Sequence, residues 1–193
     1  MLYDDKDPIL ENYIYSVNDM KAPLFDSVTS ESASIRASHP SESLVDDRGS
    51  LMSFFRMINK ERHSNNEELK DEARDDIMAT FKKYGLETIG QKFRAQDRRS
   101  FRSTISGLNI IGVWPSKNRN KPGDKILLIG GHYDTVKGTT GIDDNGSGTV
   151  ALLKLAKMLG TYKPVLDHTI YLVSFDLEED VSRVLADILD TEI

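Results

Sequence analysis

The stretch Ile126–Glu179, ILLIGGHYDTVKGTTGIDDNGSGTVALLKLAKMLGTYKPVLDHTIYLVSFDLEE, decides the reading of this chain. Ile126 to Ile129 is a short, wholly apolar run of the kind that forms a strand buried on both faces. A glycine-rich loop follows, then Ser147 to Leu159 with apolar residues at helical spacing and Gly160 as its expected stop. Thr169 to Phe175 is a second apolar strand. Strand, loop, helix and strand in that order make a parallel crossover unit. The unit predicts an α/β fold with a mostly parallel, doubly wound sheet and helices on both faces.

In open α/β sheets, ligands gather beyond the carboxyl ends of the strands. His132 and Asp134 follow the first strand, and Glu178 and Glu179 follow the second, so parallel strands would bring them to one edge. A metal-bound imidazole commonly donates its other ring N–H to a carboxylate, and Asp134 is spaced for that. Asp144 sits in the loop among Gly138, Gly141, Gly146 and Gly148, where it could return to the same place and bridge two metals. Adjacent Glu178 and Glu179 can divide the work, one ligating metal while the other moves a proton. Singly, a His-x-Asp after a strand is also a turn hydrogen bond, and a Glu-Glu pair is also a solvated helix start. Together, in this order, they point to a metal site. With no cysteine in 193 residues, its donors must be imidazole and carboxylate.

Upstream, Leu51, Phe54, Phe55 and Ile58 predict a helix beginning after Asp47-Arg48-Gly49. Asn65 with Glu68 resembles a capping box, Leu69, Ala73, Ile77, Phe81 and Tyr84 form an apolar stripe, and Gly85 ends that second helix. Leu86 to Phe93 and Leu108 to Trp114 read as strands around the basic segment Lys92 to Arg102, taken as solvated loop charge. Residues 1–44, acidic, serine-rich and interrupted by prolines, read as an irregular arm, leaving 45–193 as the catalytic-type domain. The formal charge of −6 argues against nucleic acid as a partner. No stretch reads as a signal peptide or membrane segment, and compartment is left open. His39 and His63, in polar surroundings, are expected at the surface, His168 lies at a strand entrance, and the Asn145-Gly146-Ser147 sequon is taken as accidental.

GGHYDT, GIDDNGSG and the apolar strand into DLEE resemble the two-zinc exopeptidases related to bacterial leucyl aminopeptidase and aminopeptidase Y, with glutamate carboxypeptidase and glutaminyl cyclase as relatives. The resemblance runs from about Leu51 to Glu179. It implies a three-layer αβα zinc exopeptidase fold, His132 on one zinc, Glu179 on the other, Asp144 on both and Asp134 orienting His132. It also implies Glu178 as proton shuttle, a cis Asp144–Asn145 bond, and a peptide substrate cleaved at its terminus. The family continues after its acidic pair with Gly-Leu-x-Gly-Ser and takes a further aspartate and histidine from downstream. Here Asp180-Val181-Ser182-Arg183-Val184 follows. The expectation is therefore a member incomplete at its C-terminus, with impaired or absent activity and an amphipathic helix over 181–193. Two alternatives stand beside it: a non-catalytic interaction module associating through an exposed sheet edge, and an aminoacylase or carboxypeptidase-like metallohydrolase, whose pattern places its next ligand after a longer insertion.

Overall fold

The structure, a computed structural model, describes residues 48–98 and 103–181. The expectations for the 1–44 arm, His39, the end of the basic segment and the helix over 181–193 fall outside those residues, Val181 apart. In chain order the elements are α1 (Arg48–Ile58), α2 (Glu67–Lys83), β1 (Glu87–Gln96), β2 (Thr104–Trp114), β3 (Ile126–His132), α3 (Ser147–Tyr162) and β4 (Thr169–Phe175), with a π-type turn at Ile142–Gly146 leading into α3.

The strands form one sheet in the order β1-β2-β4-β3. β3 and β4 pair in parallel, as the crossover requires, whereas β1 with β2 and β2 with β4 are antiparallel. Among the described residues the sheet is thus mixed rather than mostly parallel. The connection between β1 and β2 is too short for a parallel crossover, which needs a dozen residues or more, so the two form a hairpin.

The three described helices pack on one face. Phe54 and Ile58 of α1, Ile77 and Phe81 of α2, and Val150, Leu153 and Ala156 of α3 share a core with Ile110 and Leu172. Residues of opposite parity, Ile111, Val113, Tyr171, Val173 and Phe175, make a second cluster with Ile89 and Leu128 that includes no residue of a described helix. The expected helices on both faces are therefore seen on one face only among the described residues. β3 also departs from its expected burial on both faces. It is the last strand in the order, and Ile126 and Leu127 are about half exposed.

Helix limits follow local chemistry. Asn66, one residue later than expected, caps α2 by accepting from the Leu69 N–H at 3.4 Å, and Gly85 reverses the chain at φ 82°. α3 runs past Gly160 to a left-handed Lys163. Gly160 serves packing instead. A Cβ there would lie 2.3 Å from the Tyr84 carbonyl oxygen, so its bare backbone is what lets α3 approach the end of α2.

Phe81 is fully buried between α2 and β2, where even a methyl on Gly112 would strike its ring at 2.7 Å. Phe81→Ala should cost about 3–5 kcal/mol. Urea denaturation followed by far-UV circular dichroism checks this, and a loss below about 1 kcal/mol would contradict the packing described.

Candidate metal centre

The parallel pairing sets His132 beside Phe175, so both strands release their chains at the same edge. The Tyr133 N–H then donates to the Phe175 carbonyl at 2.9 Å, carrying the alignment one residue further. Asp134 is buried, and its two carboxylate oxygens accept the backbone N–H groups of Glu178 at 3.2 Å and Glu179 at 3.0 Å. One side chain thereby ties the loop after β3 to the turn after β4.

Asp144 arrives from the other direction. Gly138 and Gly141 adopt positive φ, and the Gly146 N–H donates to the Gly141 carbonyl at 2.7 Å, closing the turn around Asp143 and Asp144. Gly146 and Gly148 answer to crowding rather than to φ. A Cβ on Gly148 would sit 2.3 Å from Asn145 Oδ1, which accepts the Gly148 N–H at 3.0 Å. The Asp144–Asn145 peptide is cis. Thr149, buried at the start of α3, donates its hydroxyl to the carbonyls of His132 and Asn145 at 3.1 and 3.2 Å, joining strand to loop.

The result is convergence. His132, Asp144 and Glu179 each offer a donor atom, and these atoms lie within 4.8 Å of one another. His132 Nε2 is 3.0 Å from Asp144 Oδ1 and 4.0 Å from Glu178 Oε2, while Nδ1 is 3.4 Å from Asp134 Oδ1. The donor set of one imidazole and two carboxylates suits zinc. Two donors on one ion, at about 2.0–2.2 Å each, can stand no more than ~4.4 Å apart, so the cluster closes on a metal with small side-chain adjustments.

The electrostatics point the same way. Burial works to lower the His132 pKa, but the hydrogen bond and charge of Asp134, the charge of Glu178 and the hydrogen bond of Asp144 outweigh it and raise the ring to about 9. Glu179 is raised too, by burial first and then by Asp144, Glu178 and Asp134. For His132 the acids around the ring outweigh burial, whereas for Glu179 burial is the larger cause and the neighbouring acids add to it.

Behind this front lies a network that the sequence reading missed. Asp176, fully buried at the end of β4, pairs with Lys70 at 2.7 Å and Arg74 at 2.8 Å, and accepts the N–H groups of Leu108 and Leu177 at 2.9 and 2.8 Å. Burial pushes its pKa up, yet Lys70, Arg74 and the Leu108 N–H hold it below the usual carboxylate range. Arg74 also donates to the Tyr133 hydroxyl at 2.7 Å. The available signal was two cations four residues apart on α2, bordering its apolar stripe. His63 corrects an expectation. It is 1% exposed, with Nε2 3.7 Å from Asp180 Oδ1 and Nδ1 accepting the Asn65 N–H. A short turn after α1 folds its polar neighbours inward, which composition alone does not reveal. His168 is exposed, just before β4 and away from the site.

Residues 109–185 match Peptidase family M28. That span holds every residue of the cluster. Aminopeptidase YwaD of Bacillus subtilis is 33% identical over 98 residues, covering 51% of this chain and 21% of that protein. Aminopeptidase Y of Saccharomyces cerevisiae is 48% identical over 40 residues, 21% of this chain and 7% of that protein. Among solved structures, glutaminyl cyclase of Porphyromonas gingivalis superposes with a TM-score of 0.58 at 26% identity, covering 69% of this chain and 46% of that one. The chain thus spans about a fifth or less of these curated relatives' length and about half of the solved one. The aminoacylase-like alternative is not what these comparisons favour.

Because the His132 pKa is raised on folding, its contribution to the stability of the metal-free chain is complete below about 6.5 and is lost as pH rises through about 9. The stability difference between the chain and His132→Phe, measured by denaturation in chelator from about pH 6 to pH 10, should shrink accordingly. A difference independent of pH would contradict the carboxylate cage around the ring.

Proposed function

We propose that His132, Asp144 and Glu179 hold zinc in an aminopeptidase-like exopeptidase site, with Asp144 placed to serve two ions and a peptide terminus as substrate. The observation that carries this reading is the convergence of three donors from two strand ends and one glycine loop. The match to Peptidase family M28 and the aminopeptidase relatives support it.

Zinc, when bound, supplies a Lewis acid that polarises a carbonyl and acidifies water. The chain's own groups do the rest. Asp134 orients the His132 ring through Nδ1 and, by holding both N–H groups of the acidic pair, keeps Glu179 facing the cluster. Glu178, exposed and 4.0 Å from His132 Nε2, is the carboxylate free to take a proton and pass it to a leaving amine. Its exposure leaves it room to move between those two positions.

Zinc requires a neutral imidazole, so binding at neutral pH releases the His132 proton, and affinity should rise with pH and level off above about 9. Elemental analysis and titration calorimetry of the purified chain should find zinc, with His132→Ala and Glu179→Ala each weakening it by more than tenfold. Glu178→Gln should keep the metal while lowering any release of amino acids from peptide arylamides by roughly 10²–10⁴-fold. A folded sample that takes up no zinc would reject the reading for this chain.

A further inference from the structure

Arg62, in the turn after α1, is fully buried, and its guanidinium hydrogen bonds run to backbone carbonyls rather than to a carboxylate. Nε donates to Tyr133 O at 2.5 Å, Nη1 to Lys60 O at 2.8 Å, to Thr140 O at 2.7 Å and to Ile58 O, and Nη2 to Gly141 O at 3.1 Å. Its own N–H donates to Thr135 Oγ1 at 3.0 Å. We propose that Arg62 is a positioning residue of the metal centre, one guanidinium fixing the strand end that carries His132 against the loop that carries Asp144.

The carbonyls it takes are informative. Tyr133 lies between His132 and Asp134. Thr140 and Gly141 lead into the turn that presents Asp144, and the same Gly141 oxygen accepts the Gly146 N–H that closes that turn. These segments are irregular backbone, and their carbonyls, buried at Tyr133 and partly buried at Thr140 and Gly141, take donors that no ladder supplies. The planar fork holds five N–H donors at fixed angles on three nitrogens and so spans carbonyls of separate segments, whereas a lysine ammonium has three donors on one nitrogen and cannot span the same set. Burial lowers the pKa of Arg62 to about 10, with Asp134 pulling the other way, so the charge is retained at neutral pH. Space beneath the turn is tight. A Cβ on Gly146 would lie 2.7 Å from Gly141 O and 3.3 Å from Arg62 Nη2.

This inference deepens the zinc reading and rests on it for the metal readouts, while its structural readout stands without metal. The test uses the full chain carrying Arg62→Lys. In chelator, amide exchange should show the Gly146 N–H losing protection at least tenfold while Leu152, Leu153 and Ala156 in α3 keep theirs. Zinc affinity should fall tenfold or more, and the visible spectrum of the cobalt-substituted chain should change. Gly146→Ala, which leaves Arg62 in place but crowds Gly141 O at 2.7 Å, Ile58 Cγ2 at 3.2 Å and Arg62 Nη2 at 3.3 Å, should lower zinc affinity in the same direction.

A folded Arg62→Lys chain with unchanged Gly146 protection overturns the proposal, as does equal loss of protection in the turn and in α3, which would mark Arg62 as mere core filling. If Arg62→Lys does not fold, Gly146→Ala decides, and zinc bound as tightly as by the unaltered chain overturns it. If the unaltered chain takes no zinc, the zinc reading fails and the exchange comparison alone decides Arg62.

Discussion

The parallel register of β3 on β4 is the constraint on which the rest of the site depends. With His132 opposite Phe175, the two chains leave the sheet side by side, and every later contact follows from that adjacency. Asp134 converts adjacency into a fixed distance, since each of its oxygens holds one N–H of the acidic pair. These two partly buried bonds are two reasons for the turn after β4 to stay where it is. The backbone of Glu178 and Glu179 is thereby placed relative to His132 before either side chain chooses a rotamer.

Charge is sorted by depth. At the open edge Asp144, Glu178 and Glu179, together with the buried Asp134, surround one imidazole. Among the described residues, the cations behind are engaged elsewhere, Lys70 and Arg74 with Asp176 and Arg62 with carbonyls, while the charge of Arg62 also acts on Asp134. The carboxylates raise the His132 pKa against the effect of burial, and burial followed by the neighbouring acids raises that of Glu179. A divalent cation among these groups would relieve both, because it displaces the proton from the ring and favours the ionised carboxylate.

The central part of this arrangement was legible in the sequence because it is written in runs. An apolar strand, a glycine loop with spaced acids, an amphipathic helix and a second apolar strand each leave a local pattern, and the crossover rule orders them. What was illegible depends on partners distant in the chain. Lys70 and Arg74 read as ordinary charges on a helix surface until Asp176, about a hundred residues on, is seen beneath them. Arg62 and His63 sit in a polar turn whose partners are distant in the chain, carbonyls of the loop after β3 for Arg62 and Asp180 after β4 for His63. The antiparallel hairpin was hidden because strand patterns carry no direction, and only the length of the connection decides it. Gly160 was misread as a helix stop because a glycine required for close packing and one required for a turn look alike in one dimension.

The ion network at Asp176 asks why a carboxylate should stand at the end of a strand that is otherwise apolar. A buried ion pair is weak grounds for stability, since desolvation of the charges can cancel their attraction. The backbone gives a better reason. Leu177, directly after Asp176, has φ 62°, a left-handed conformation that leaves its N–H outside any ladder, and Asp176 Oδ1 accepts that N–H while Oδ2 accepts the Leu108 N–H. The carboxylate is thus the cap on an abrupt reversal. Only that reversal returns Glu178 and Glu179 to Asp134 instead of letting β4 continue outward. Lys70 and Arg74 are then the counter-charge for a cap that is fully buried, so that α2 supports the turn that brings Glu179 to the cluster.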